Sequence, residues 1–177
     1  DGAVREYPKG ITGMDIAKSI SHGLAKKVIS VGVNGEVWEA LRPIEHDANL
    51  KLFTFDDPEG KMTFWHSSAH LLAEALEELY PGVKFGIGPA IDNGFYYDVD
   101  LGDTVLTEKD LEKIEKKFKE KTKAKSRFER KEVSKEEALN YFREKGDEYK
   151  LELINDLEDG TITFYQQGNF VDLCRGP

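Results

Sequence analysis

His66 and His70 are the first groups in this chain whose spacing suits chemistry. Residues four apart on a helix stand one above the other on the same face, so the two imidazoles would act at one place. They are either partly buried histidines satisfied by neighbours, two ligands of a metal ion, or two hydrogen-bonding groups aimed at a substrate. A zinc site needs a third and usually a fourth ligand, and Cys174, the single cysteine, is available as the third. Tyr149-Lys150 after Gly146, and Asp172-Leu-Cys174-Arg-Gly-Pro177, supply further candidates from distant sequence. Two apart on a strand, Asp172 and Cys174 face the same way. An anion for an ammonium group, a cation for developing negative charge and two imidazoles together make a hydrolytic pocket. Taken singly, Lys150 reads as a surface charge, Asp172 as a turn residue and Cys174 as a small apolar core group. Only the combination favours function. Tyr97, in Phe95-Tyr-Tyr97, is either a core ring or a ring facing substrate.

Two segments, divided near Phe55 to Gly60, must position these groups. The first opens with Asp1-Gly2, a hairpin-type dipeptide with no strand before it, followed by the strand-like Ala3 to Tyr7. Thr12 and Asp15 form a capping box, and Ile16, Ile20 and Leu24 make an apolar helical stripe. Val28 to Val33 and Glu36 to Leu41 flank Asn34-Gly35, a strong hairpin signal, and Leu50 to Phe55 is a last strand. A small mixed sheet with one helix across it is expected. The turn-rich Asp56-Asp-Pro-Glu-Gly60 marks the boundary.

The second segment begins with a helix predicted from Thr63 to Tyr80, with Trp65, Ala69, Leu72, Leu76 and Leu79 toward the core, ended by Pro81-Gly82. A strand region follows, ending in Phe95 to Val99. Thr107 and Asp110 open a helix whose core side reads Leu111, Ile114 and Phe118, and Ser134 with Glu137 caps a further helix that stops at Gly146. Thr161 to Tyr165 and Phe170 to Leu173 read as closing strands. The fold class is α+β.

The chain has 177 residues, 33% of them charged, and a net charge of −9. That suffices for one domain or two small ones, and is too short for a multidomain ligase. Wholesale wrapping of nucleic acid is disfavoured by the sign. The charge is uneven: Lys113 to Lys131 carries ten basic and three acidic residues, locally +7, against −16 elsewhere. Such a stretch is a solvated helix face tied by Glu112 to Lys116 and Glu115 to Lys119 pairs, or a phosphate-contacting ridge. No stretch approaches the ~18 apolar residues of a membrane span. No secretory signal is visible, and a lone thiol fits a reducing interior such as the cytoplasm. A start at Asp1 rather than Met suggests trimming.

His66-Ser-Ser-Ala-His70-Leu-Leu, Gly86-Ile-Gly-Pro89 with Asp92-Asn-Gly-Phe-Tyr-Tyr-Asp-Val-Asp100, Tyr149-Lys150 and Val171-Asp-Leu-Cys-Arg-Gly-Pro177 occur in order along the chain. Together they resemble the N-terminal region of the bacterial threonyl-tRNA synthetases. Residues 1–58 resemble the TGS domain, a ubiquitin-like β-grasp, here without its first strand. Residues 59–177 resemble the editing domain of the threonyl/alanyl-tRNA synthetase type. In the family a histidine directly follows Cys-Arg-Gly-Pro; with the sequence ending at Pro177, the expectation is a fragment cut within both domains, its pocket one member short and its activity in doubt.

The resemblance implies a parent that joins threonine to its tRNA with ATP, and an editing domain that hydrolyses mischarged seryl-tRNA. Its editing residues fall on His66, His70, Lys150, Asp172 and Cys174, with Tyr97 and Gly88 lining the pocket. Asp172 would bind the aminoacyl ammonium, Lys150 would steady the oxyanion, and the histidines would hold the terminal ribose and the attacking water. Cys174 would be a pocket wall or water contact. No cofactor is expected here; ATP, magnesium and zinc belong to the absent catalytic domain, as do the contacts of a homodimeric parent. The expected partner is the acceptor end of threonine tRNA, in the cytoplasm and away from membranes. Two alternatives stand beside this: a zinc-dependent deacylase like the related alanyl-tRNA editing domains, and a non-catalytic tRNA-docking module.

Overall fold

The computed structural model describes residues 2–177, so the Asp1 half of the expected Asp1-Gly2 turn lies outside the described residues. The described chain forms two compact units, residues 2–65 with Pro177 and residues 66–176. Asp56 to Gly60, where the sequence marks a boundary, is the entrance of a helix.

In the first unit, β1 (Ile11–Thr12) leads into α1 (Gly13–Ile20) and α2 (His22–Ala25), followed by β2 (Ser30–Val33), β3 (Glu36–Glu39), β4 (Pro43–Ile44) and β5 (Leu50–Phe53). The antiparallel order β3-β2-β5 makes the main sheet, and β1 pairs with β4. Asn34 and Gly35 both hold positive φ, 52° and 91°, as the tight β2–β3 turn requires. Ile16 and Ala17 of α1 pack into clusters with Val28, Val31, Val33, Ala40 and Ile44. Thr12 caps α1 by accepting the Asp15 N–H at 3.1 Å.

Two expectations fail in this unit. Ala3 to Tyr7 forms no strand; the first ladder begins at Ile11. The stripe through Ile20 to Leu24 is interrupted because Ser21 turns extended and its hydroxyl caps Leu24 N–H, which leaves Ile20 exposed.

Helix α3 (Pro58–Leu79) starts five residues before the expected Thr63. Proline is preorganised for a first helical turn, Asp57 accepts the Thr54 N–H at 2.9 Å, and a Cβ at Gly60 would collide with the Thr54 carbonyl. Pro and Gly here fix a close helix entrance.

The second unit continues with β6 (Lys84–Phe85), β7 (Ala90–Ile91), β8 (Gly94–Phe95), β9 (Val99–Asp100), α4 (Glu108–Ala124), β10 (Glu129–Glu132), α5 (Lys135–Lys145), α6 (Glu148–Asn155), β11 (Thr163–Gln167) and β12 (Phe170–Leu173). Strands β10-β11-β12 form an antiparallel sheet with Tyr165 opposite Asp172. Alternation sends its residues two ways. Phe164 joins Val133, Ala138, Phe142, Ile154 and Ile162 on the α5/α6 side. Phe170 joins Ala73, Leu76, Phe85 and Ile114 on the α3/α4 side.

Several local expectations are corrected. Phe95 to Val99 is not one strand: β8 pairs with β7, β9 with β6, and Tyr97 lies in the irregular link between them. Leu111 is exposed, since α4 meets the core only from Ile114. The basic stretch leaves the helix at Lys125, which adopts a left-handed conformation, and its end becomes β10.

Candidate active site

The first cluster is built by one face of α3 and the end of β12. The rings of His66 and His70 lie 5.1 Å apart at 68°, and Cys174 Sγ lies 3.4 Å from His66 Nε2. The donor atoms of the three residues fall within 4.8 Å of one another. Cys174 is held by its backbone, whose N–H donates to the Thr163 carbonyl at 3.1 Å, while Thr163 Oγ1 donates to the Cys174 carbonyl. The Gly176 N–H donates to Sγ at 3.2 Å. Gly176 has φ +68°, and a Cβ there would collide with the Tyr165 hydroxyl. The turn that aims a backbone N–H at the thiol therefore needs glycine.

His70 is 4% exposed and ringed by Phe128, Tyr165 and Phe170. Burial pulls its pKa from 6.5 down to about 4, against the upward pull of Asp172. The imidazole is neutral at pH 7, and its Nδ1 has no hydrogen-bond partner among the described residues. Its backbone carbonyl accepts from Gln167 Nε2 at 2.9 Å, which ties α3 to the β11–β12 hairpin.

The second cluster is the charged one. Lys150 Nζ sits 2.7 Å from Asp172 Oδ1 and 3.2 Å from the Tyr97 hydroxyl, which itself donates to Asp172 Oδ2. Lys150 and Asp172 are 2% and 3% exposed, so the pair stands only because each charge is matched and hydrogen-bonded. Burial, then the Asp172 charge, pushes the Tyr97 hydroxyl well above its ordinary range, keeping it a donor. Gly88 lies under that ring: a Cβ there would run into Tyr97.

The seven expected residues thus fall in two adjoining groups: His66, His70 and Cys174 in one, Lys150, Asp172 and Tyr97 in the other, with Gly88 beneath Tyr97. Three supporting residues were not foreseen. Asp147 caps α6 with Oδ1 on Lys150 N at 3.2 Å, and its Oδ2 accepts the Phe85 N–H at 2.9 Å; an acidic residue just after a glycine helix stop was the available signal. Tyr165 ends the expected strand and Gln167 lies two residues beyond it, on the longer observed β11, and nothing in their types distinguishes them. The basic ridge is largely engaged. Lys117 and Lys121 pair with Glu78 of α3, Lys121 also with Glu74, and Lys113, Lys119 and Lys131 with Asp110, Glu115 and Glu137.

Among the described residues no helix is long and apolar enough to cross a membrane. Residues 1–54 match the TGS domain family. Over its whole length the chain is 62% identical to a threonine–tRNA ligase of Cytophaga hutchinsonii, and 59% identical to those of Parabacteroides distasonis and Porphyromonas gingivalis. It spans 27% of the length of each of these curated relatives. The chain, α+β and with a TGS-domain match at its start, is thus similar throughout to the N-terminal 27% of bacterial threonine–tRNA ligases.

Proposed function

We propose that residues 59–177 hydrolyse the ester of mischarged seryl-tRNA specific for threonine, with residues 1–58 as an accessory module on the same tRNA. The supporting observation is the buried Lys150–Asp172–Tyr97 group adjoining two imidazoles and a thiol. Water adds to the ester carbonyl, the acyl C–O bond breaks, serine leaves, and the terminal ribose hydroxyl regains its proton. Asp172 receives the substrate ammonium, and Lys150 steadies the oxyanion. His66 and His70 hold the ribose and the water; neutral His70 accepts a proton or a hydrogen bond. Tyr97 orients Asp172, Gly88 gives Tyr97 its place, and Cys174 walls the pocket. No metal or other cofactor takes part.

The need for such a step is physical. Serine lacks only a methyl of threonine, and a difference of that size gives a pocket only ~10–200-fold discrimination. In the longer protein, ligation of threonine with ATP, magnesium and zinc, and assembly as a homodimer in the cytoplasm, belong outside these residues.

The test compares deacylation of seryl- and threonyl-tRNA, both specific for threonine, by this chain and by a full-length ligase carrying it. Seryl-tRNA should be cleaved much faster, with a loss of 10²-fold or more, roughly, on Lys150→Ala. Equal rates on the two esters would overturn the assignment. Salt-sensitive binding with no deacylation would favour a docking module, a role for which the paired lysines of α4 leave less free charge.

A further inference from the structure

We propose that Asp147 is a positioning residue of the hydrolytic site, and that it works through both carboxylate oxygens at once, joining the element that carries Lys150 to the one that carries Tyr97. The proposal rests on the hydrolase reading above. Asp147 is 3% exposed, and a carboxylate so buried must be matched by donors. Its Oδ1 accepts the Lys150 N–H at 3.2 Å and its Oδ2 accepts the Phe85 N–H at 2.9 Å. The first bond is a helix cap, for which one oxygen suffices. The second reaches 62 residues back along the chain to β6, and capping has no need of it.

From Phe85 the tie runs on to Tyr97. Strand β6 pairs with β9, the Gly86 N–H donates to the Asp98 carbonyl at 2.8 Å, and the Asp98 N–H donates to the Ile87 carbonyl at 2.9 Å. Tyr97 therefore leaves the chain beside a backbone laddered to residues 85–87. The Phe85 ring also meets the Tyr97 ring edge-on, with centroids 5.3 Å apart at 69°. The two arms meet again at their tips, where Lys150 Nζ and the Tyr97 hydroxyl stand 3.2 Å apart and each holds one oxygen of Asp172. Asp147 closes this ring of contacts at its base, as Asp172 closes it at its tip.

Packing alone does not fix the ring. A cavity of about 290 Å³ adjoins it, lined by Phe85, Phe142, Asp147, Val171 and Asp172 among others, so on that side hydrogen bonds rather than close-packed atoms hold the arms. When the substrate ammonium takes Asp172, Lys150 loses its anchor at the tip. The tie at the base then keeps the lysine in register with Tyr97 and aimed at the ester carbonyl. A displacement of about 1 Å at such a group costs roughly 10²-fold in rate.

The experiment separates the two oxygens. Serine caps a helix about as well as aspartate but offers a single oxygen, so Asp147→Ser keeps the bond to the Lys150 N–H and gives up the one to Phe85. Single-turnover hydrolysis of seryl-tRNA specific for threonine is measured for the unaltered protein, Asp147→Ser, Tyr97→Phe and the double variant, in this chain and in a full-length ligase carrying it. Asp147→Ser should slow hydrolysis by about 10-fold, and Asp147→Ala, which loses both ties, by about 100-fold. The double variant should be no more than about 2-fold slower than Tyr97→Phe alone, because both changes break one ring. Amide hydrogen exchange gives a readout apart from catalysis: in Asp147→Ser the Phe85 N–H should exchange faster while the Lys150 N–H keeps its protection. Asp147→Asn, which caps equally well and turns an amide toward Phe85, serves as the second variant should Asp147→Ser not fold. Effects that multiply in the double variant, or an Asp147→Ser rate equal to that of the unaltered protein, overturn the proposal. Absence of hydrolysis by the unaltered protein would instead remove the hydrolase reading, and the role of Asp147 with it.

Discussion

The two adjoining clusters differ in how their polar atoms are spent. Around Lys150 nearly everything is matched: Asp172 uses both carboxylate oxygens, Tyr97 donates to one of them, and Asp147 fixes the helix that presents the lysine. Around His66 and His70, Cys174 Sγ meets His66 Nε2 at 3.4 Å, and the buried His70 Nδ1 has no hydrogen-bond partner among the described residues. The first arrangement is internally complete and contributes structural integrity. The second leaves capacity for something from outside. A site that binds and reacts needs both, one part held and one part open.

The largest break in that contrast should come from the held side. Asp172→Ala strands the Lys150 ammonium in a site that is 2% exposed, and removing one partner of a buried pair costs about 3–5 kcal/mol. Urea unfolding should show the loss, and the Asp172→Asn, Lys150→Met double variant should recover much of it. Next comes the titration of His70. Its folded pKa, about 4, lies below the ordinary 6.5, so between those values the unfolded chain binds the extra proton. Stability therefore rises with pH there, and about 3 kcal/mol is lost as pH falls from 6.5 to 4. Unfolding curves at pH 7, 6 and 5 check this, and His70→Gln should flatten the slope.

Smaller effects sharpen the comparison. Tyr97→Phe removes the donor to Asp172 Oδ2 and should cost about 1–3 kcal/mol, whereas His66→Ala, on the open side, should leave the midpoint within about 0.5 kcal/mol. Gln167→Ala should cost about 1 kcal/mol through its bond to the His70 carbonyl, and should loosen hydrogen exchange at the β11–β12 hairpin. Lys119→Ala, which breaks the exposed pair with Glu115, should change nothing measurable.

Which of these features the sequence discloses follows from their range. His66 with His70 and Asp172 with Cys174 are legible because each pair shares one element, at periods of four and two. The capping residues Thr12 and Ser134, the Asn34-Gly35 turn and the Gly146 stop are equally local, and each acts as its type suggests. The meeting of Lys150 with Asp172 bridges 22 residues of sequence, and residue types alone do not encode it; the family resemblance supplied that link. Helix α6 was missed because Glu148 to Asn155 has little apolar contrast, and β10 because Glu-Arg-Lys-Glu has none. Both are held by what they pack or pair against, with weak intrinsic preference of their own.

The Lys150–Asp172 pair has one more consequence. The two charges cancel, so the resting pocket presents no net pull on a cation. On the proposed reading, in which Asp172 receives the substrate ammonium, that ammonium enters by ion exchange, taking the place of the lysine and liberating it in the same event. The free energy of entry is then a difference between two similar ion pairs. Affinity for the ammonium should be modest and nearly indifferent to ionic strength, and selectivity must come from the shape around the exchange rather than from the strength of the charge.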